Sequence, residues 1–559
     1  MTQNLTQNLP RPAVAHIDAI PPELLGEIFA HTASLDPDAP LTLAQVSRTF
    51  HCVVRTTPHA WTTLRLVSSQ DPREEWHATR KAAHWFDMAG GCTLDLYVEM
   101  KPRPRTSPLV ITAHGRSGES EVLSEDAWER ALPHVLHDFQ HRIQTLEIHS
   151  TTIDEARHFF TRLYPFESLE SVEEEWVQLP LREIYLHTLQ TCGNTSSHGS
   201  FPHQKHHPFS GTFPSLSQPR FSHLEKVNLV NHYLPTISPS NLRNLRSLCI
   251  TYPLRFTPIP MQTLLQVMQA APRLEILEVE ARVVDSSPMP PSPVIPTSDN
   301  LSRSPPTSDA PVSCSSNMSS NHAELNLITL PNLTHLSLRV NNLPGLLKHL
   351  LLPSLRTLRL DDLDGKRPGA ASQTGEVLRQ LLVRMELPCE GVKRKGCGLE
   401  VLEMCGIALT PVHANGHSSL DSEDVWGWCF RRMRTLKELK VSKMDTGALL
   451  AMITPRMVGC VVEERQDDVV LPNLRKLEVH EACSMGIGGP PSSSPMSCSS
   501  TSSSFPKIDA SLLPPSPPSG PILKFQMRRP DVDVVYSAPT NPVRALPPKI
   551  DFLELYTRH

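Results

Sequence analysis

One short phrase constrains the fold of this chain more than any other feature: apolar-x-x-apolar-x-apolar, repeated along most of its length. It reads "LEKVNL" from Leu224, "LRSLCI" from Leu245, "LEILEV" from Leu274, "LTHLSL" from Leu333 and "LRTLRL" from Leu355. It continues as "LEVLEM" from Leu399, "LKELKV" from Leu436, "LRKLEV" from Leu474 and "IDFLEL" from Ile550, after earlier copies "IQTLEI" from Ile143 and "LREIYL" from Leu181. On the order of nine such windows would arise by chance in a chain this rich in Leu, Ile, Val and Met. A stricter form, Pro-x and then the phrase, decides the matter. "PRLEILEV", "PNLTHLSL", "PSLRTLRL", "PNLRKLEV" and "PKIDFLEL" all satisfy it, where about one is expected at random.

Alternate side chains of a strand share a face, so the last two apolar residues of each phrase point into one core. The first anchors the entering turn. A proline ahead of it has no N–H to give to a ladder and marks where the strand begins. Between phrases, "MQTLLQVMQA" (261–270) and "EVLRQLLVRM" (376–385) carry apolar residues at three- and four-residue intervals and read as helices. Strand, turn, helix and turn, repeated, predict a solenoid with a parallel sheet on one side.

The best copy, "LTHLSLRVNNL", places Leu333, Leu336, Leu338, Asn341 and Leu343 in the pattern L-x-x-L-x-L-x-x-N-x-L, and so resembles the leucine-rich repeat. Elsewhere the turn position holds His232 or Ile407, and the interval from Leu274 to Leu333 far exceeds that from Leu224 to Leu245. The expected array is therefore irregular. Pro- and Ser-rich stretches at 285–321 and 488–520, and a His-rich one at 191–211, have no regular apolar spacing to offset the entropy of ordering, and read as disordered insertions.

Ahead of the phrases stands "IDAIPPELLGEIFAHTASL", residues 17–35. Pro21 and Pro22 set the chain for helix entry, and Glu23 falls in the first turn, where negative charge is favoured. Leu24, Leu25, Ile28 and Phe29 then make a single apolar stripe, which a short helix must cover to persist in water. A second helix is predicted over "LTLAQVSRTFHCVVRTTPHAW", with Thr42 and Gln45 spaced as a capping box and Leu41 and Val46 as a hydrophobic staple. Leu43, Val46, Phe50 and Val53 recur at helical intervals, Pro58 ends the run, and Trp61 precedes a short strand, "LRLV".

The order "IPPELLGEIF", "VSR", "TPHAW" and strand, over about 17–66, resembles the F-box, and fungal F-box proteins in particular. The resemblance implies docking to the Skp adaptor of a cullin-RING ubiquitin ligase, with a cullin scaffold as a further partner and the rest of the chain recruiting an unknown protein substrate. It carries Ile20, Pro21, Pro22, Leu24, Leu25, Ile28 and Phe29 onto the adaptor surface, with Leu43, Val46, Phe50 and Trp61 completing that surface or holding the helices together. At each position, internal packing is the competing reading.

The resulting fold class is a mixed α+β, α/β repeat: a small helical F-box followed by an irregular leucine-rich-repeat solenoid with disordered Pro/Ser-rich insertions. Its boundaries fall at 1–16 (flexible N-terminus), 17–66 (F-box), 67–282 (linker helix and strand, then repeats), 283–322 (insertion), 323–482 (repeats), 483–521 (linker) and 522–559 (terminal strand segment).

Other features exclude more than they suggest. A net charge of −5 over 559 residues gives no footprint for nucleic acid and no polybasic membrane surface. The start of the sequence lacks a basic-then-apolar secretory pattern, and no apolar run nears the roughly 20 residues that span a bilayer. Twelve scattered cysteines suit reduced thiols, so a cytoplasmic or nuclear setting is expected. His198, His203, His206 and His207 sit in loop composition, and Cys389, Cys397 and Cys405 make no C-x-x-C pair; no metal or cofactor is expected. With no G-x-S-x-G, no phosphate-binding glycine loop and no H-E-x-x-H, the expectation is a non-catalytic recruiting subunit, with a repeat scaffold free of ubiquitin chemistry as the alternative.

Overall fold

The structure, a computed structural model, describes residues 20–68, 72–101, 131–165, 178–189, 219–232, 237–252, 258–285, 327–363, 370–386, 398–407, 425–454, 470–480 and 520–537, with a few single positions between them. The chain divides into two compact units, residues 1–282 and 283–559.

The first unit opens with three short helices, α1 (Pro22–Leu35), α2 (Ala39–Ala44) and α3 (Arg48–Arg55), and a 3-10 turn, Pro58–Trp61. Strand β1 (Thr63–Ser68), helix α4 (Pro72–Met88) and strand β2 (Leu94–Met100) come next. Then come α5 (Ala131–Asp138), β3 (Ile143–Ser150), α6 (Ile153–Leu163), β4 (Glu183–Thr188), β5 (Lys226–Val230) and β6 (Ser247–Thr251). Helix Met261–Ala270 and strand Ile276–Ala281 end the unit. Each strand pairs in parallel with the next, in continuous register except for one shift at Leu94/Asp95 between β2 and β3.

The second unit repeats the scheme with strands His335–Val340, Thr357–Asp362, Val401–Cys405, Glu438–Ser442, Lys476–His480 and Asp533–Ser537, again all parallel. Its helices Ala370–Glu386, Val425–Arg432, Thr446–Ile453 and Gly520–Arg528 pack each on the next.

The phrase is the physical origin of these strands. From Leu181 onward, every described copy begins its strand two residues after its first apolar residue, and its apolar positions enter the core. Leu333, Leu336 and Leu338, and likewise Leu355, Leu358 and Leu360, have no exposed surface. Each large side chain so buried stabilises by about 1.5–3 kcal/mol. The helix at 261–270 lies where its periodicity placed it, and the second expected helix lies within Ala370–Glu386. Helix α6 carries a capping box: Thr152 Oγ1 accepts the Glu155 N–H, and Glu155 reaches back to the Thr152 N–H.

The expected plan of a helical F-box followed by an irregular leucine-rich-repeat solenoid is overturned. The arrangement is α/β: within each unit the strands of the main sheet pair in parallel throughout and are accompanied by helices. The phrase by itself specifies a buried parallel strand, which an extended α/β sheet satisfies as fully as a solenoid does. Nor do the N-terminal helices stand apart from the sheet. Their chain runs straight into β1, which pairs with β2 from Thr63↔Asp95 to Ser68↔Met100, and α4 packs on β1. The copy at Ile550 and the Pro/Ser-rich and His-rich insertions lie outside the described residues.

Candidate docking surface on the N-terminal helices

Helix α1 starts as its prolines dictate. Pro21 is extended, Pro22 takes the first helical position, and no side chain caps the end. Leu25, Phe29 and Ala33 recur at four-residue intervals and are buried. Between them Gly26 lets the helix approach the 3-10 turn: a Cβ there would lie 2.9 Å from Thr57 Oγ1, itself held by the Val53 carbonyl at 2.7 Å.

The second predicted helix is in fact two. Ser47 breaks the run by going extended and caps α3, its Oγ accepting the Phe50 N–H at 3.1 Å. Thr42 lies inside α2 with Gln45 at its C-terminal end, so the expected capping box does not form there. Leu41 and Val46 are both exposed, and the expected staple is absent with it.

Phe50 meets Phe29 with ring centroids 4.9 Å apart, joining α3 to α1. Trp61 is buried, gives its indole N–H to the Val54 carbonyl at 2.8 Å, and stands edge-on to Trp85 of α4 at 4.8 Å. Trp85 in turn donates to the Thr63 carbonyl at 3.0 Å, and Lys81 reaches Asp38 and the Arg65 carbonyl. These contacts fasten the helices to the first strand. Trp85 and Lys81 escaped the sequence reading because nothing near them in sequence signals partners that far upstream.

The candidate residues therefore separate into two sets. Leu25, Phe29, Phe50 and Trp61 are internal packing. Pro21 and Pro22 are exposed, Leu24 and Ile28 keep about half their surface (51% and 50%), and Val46 keeps 63%. Ile20 and Leu43 are half-buried. The single stripe read from the sequence is thus split lengthwise. Successive residues of a helix are about 100° apart, so Leu24 and Ile28 face out where Leu25 and Phe29 face in. Leu41 and Leu35, not among the candidates for this surface, add to the exposed apolar set.

A second surface is the polar face of the sheet. In the first unit, Arg65, Tyr97, Glu147, Tyr185, Asn228, Cys249 and Glu278 occupy one register row. Burial and the Glu183 carboxylate, which accepts its hydroxyl at 2.6 Å, push the Tyr185 phenol well above its ordinary range. In the second unit the corresponding row alternates in charge: Arg359, Glu403, Lys440 and Glu478 stand side by side, with Arg359–Glu403 at 3.2 Å and Lys440–Glu478 at 3.5 Å.

At the ends of β3 to β5 sits a hydroxyl–imidazole chain. Ser150 Oγ lies 3.1 Å from Thr188 Oγ1, which lies 2.7 Å from His232 Nε2, and all three residues are buried. His149 and His187 stack at 4.7 Å alongside. Burial, with His149 as neighbour, pushes His187 down to about 4; burial, with His187 nearby, does the same to His232. The chain links strand ends inside the protein, and His232 fills the turn position that asparagine holds at Asn341.

Cys405 is buried, and Cys389, Cys397 and the histidines at 198, 203, 206 and 207 lie outside the described residues. Among the described residues no helix is long and apolar enough to cross a membrane. No protein-family model matches the chain, and no curated protein matches it.

Proposed function

We propose that this protein recruits a target to a cullin-RING ubiquitin ligase, docking through residues 17–66 to the Skp adaptor and presenting the polar face of its sheet to the target. One observation carries the docking half. Leu24, Ile28 and Val46 are large apolar residues held exposed on helices whose other side is fixed by Leu25, Phe29, Phe50 and Trp61. A rigid apolar set of this kind, bordered by charged Glu23, Glu27 and Arg48, has the make-up of a protein-binding surface. The resemblance of "IPPELLGEIF" and "TPHAW" to the F-box supplies the identity of the partner. The mechanism would be proximity: a lysine of the target is held near ubiquitin carried by another subunit.

Co-purification tests this directly. The wild-type chain should capture the Skp adaptor, and the double variant Leu24→Asp/Ile28→Asp should lose at least about tenfold in affinity while keeping its melting temperature. Wild-type protein that captures neither adaptor nor cullin sinks the reading and leaves a scaffold without ubiquitin chemistry. Undiminished capture by the double variant sinks the assigned surface.

A further inference from the structure

The polar faces of the two units differ in charge. On the described strands of the second unit, five carboxylates share that face with four cations. Each cation has a carboxylate beside it: Arg339–Asp361 at 3.1 Å, Arg359–Glu403 at 3.2 Å, Lys440–Glu478 at 3.5 Å, and Lys476 on the same Glu478. On the first unit, six carboxylates (Asp95, Glu99, Glu147, Glu183, Glu278 and Glu280) stand against two cations. Those two, Arg65 and Lys226, pair with Glu99 and Glu183, and His149 meets Glu147. His187, pushed down to about 4 by burial and by His149, adds no positive charge at neutral pH.

The acidic excess is densest on β2, β3 and β4. Register sets Tyr97, Glu147 and Tyr185 side by side, with Asp95 and Glu183 one row away, and all five are half-buried. Burial above all, with Glu183 adding to it, lifts the Asp95 carboxyl above its usual range, even against a hydrogen bond from Thr145. Folding thus gathers acids that repel one another, a cost that packing of the strands does not require. Next to Tyr185, on β5, the buried side-chain oxygen of Asn228 has no hydrogen-bond donor among the described residues. The face is rich in acceptors, and one of them stands without a donor.

We propose that the polar face of the first unit takes a cationic segment of the recruited protein, with an Arg or Lys side chain set on Glu147 between Tyr97 and Tyr185. The inference rests on the recruiting role proposed above and names what that face selects. Charge complementarity carries the choice of occupant: a segment bearing Arg or Lys relieves the repulsion among Asp95, Glu147 and Glu183, whereas an acidic segment adds to it. Neighbouring strands lie about 4.8 Å apart, so the backbones of the two tyrosines are about 10 Å apart, with Glu147 midway. That spacing admits one guanidinium or ammonium group, which can pair with the carboxylate and meet the faces of the rings. An N–H of the same segment can supply the donor that Asn228 lacks.

The test uses the full chain and a fluorescent peptide of alternating Arg and Ser, read by anisotropy at low salt. Asp95→Asn/Glu147→Gln should weaken binding about tenfold or more while keeping the melting temperature, because it removes charges that repel. Glu403→Gln/Glu438→Gln, which takes the same charge from the second unit, should change binding less than about twofold. Equal losses from the two pairs would report attraction to net charge alone and overturn the proposal, as would equal binding of a Glu–Ser peptide. A benzophenone in the Arg–Ser peptide should cross-link to β2–β5 of the wild-type chain, and adducts confined to other segments overturn the proposal without recourse to any variant. So does a second copy of the chain seated on the face, seen as a concentration-dependent mass that the peptide leaves intact. Adaptor capture is read apart from all of these. Peptide binding without capture sinks the ligase reading and leaves this one, and capture without peptide binding does the reverse.

Discussion

At the first strand of the sheet, Thr63–Ser68, the inward Leu64 and Leu66 have almost no exposed surface; at the last, Asp533–Ser537, the inward Val534 and Tyr536 are half-exposed. Both are strands of a parallel sheet, each paired with one other strand among the described residues. They differ in what lies next to them. Before β1 the chain supplies three helices, a buried Trp61 and the Trp85 that meets it, an aromatic-rich cover tied to the strand by the Trp85–Thr63 hydrogen bond. Apolar patterning makes a strand, but closing the end of a sheet takes a separate piece of chain, and at the N-terminal end that same piece also holds Leu24, Ile28 and Val46 outward.

The sharpest way to break the comparison is to remove the cover. Trp61→Ala takes away a fully buried ring and the partner of Trp85, and should destabilise the first unit by about 3–5 kcal/mol. Amide exchange at 63–68 should rise with it, and a fall in stability without faster exchange there would mean that Trp61 does not seal the edge.

Next, two neighbouring positions of the second unit can be weighed against each other. Leu477→Ala, at a fully buried position, should cost about 2–5 kcal/mol by denaturant unfolding, whereas Val534→Ala, at its half-buried register partner, should cost about 1 kcal/mol or less. A loss for Val534→Ala as large as that for Leu477→Ala would show that Val534 is packed as fully as its neighbour.

A separate effect comes from acid, which titrates two buried histidines of the first unit. His187 and His232 are pushed down to about 4, so the unfolded chain takes up protons at these sites before the folded one does. Stability should therefore fall as pH drops from about 6.5 towards 4, by on the order of 2 kcal/mol per histidine. His187→Gln should flatten that part of a denaturation-against-pH profile, and an unchanged slope would show that the imidazole is not buried as described.

Much of the sheet was legible because the phrase carries its own geometry. Leu333, Leu336 and Leu338 announce a strand and its inward face within six residues. The last strand was not legible: "DVDVVYS" lacks a leucine at the entering position, and only its pairing with Lys476–His480 identifies it. In the candidate surface, the sequence could not sort the exposed Leu24, Ile28 and Val46 from the buried Leu25, Phe29, Phe50 and Trp61. The broken helix at Ser47 was hidden because Thr42–Gln45 imitates a cap as well as Ser47–Phe50 makes one. Which of two local signals prevails depends on packing of Phe50 against Phe29, a contact distant in sequence.

By itself, then, the sequence determined the local terms: which residues are apolar, at what period, and where proline and serine start an element. Those terms act within a turn or a strand, so they can be read without the rest of the molecule. Only the tertiary structure decided the terms that depend on distant partners. It joined the N-terminal helices to a parallel α/β sheet where the sequence suggested a helical module and a solenoid. It also turned Leu25 and Phe29 inward and left Leu24 and Ile28 outside. A helix stripe more than 100° wide has two sides, and the side that becomes core is the one to which the remainder of the chain delivers its aromatic rings.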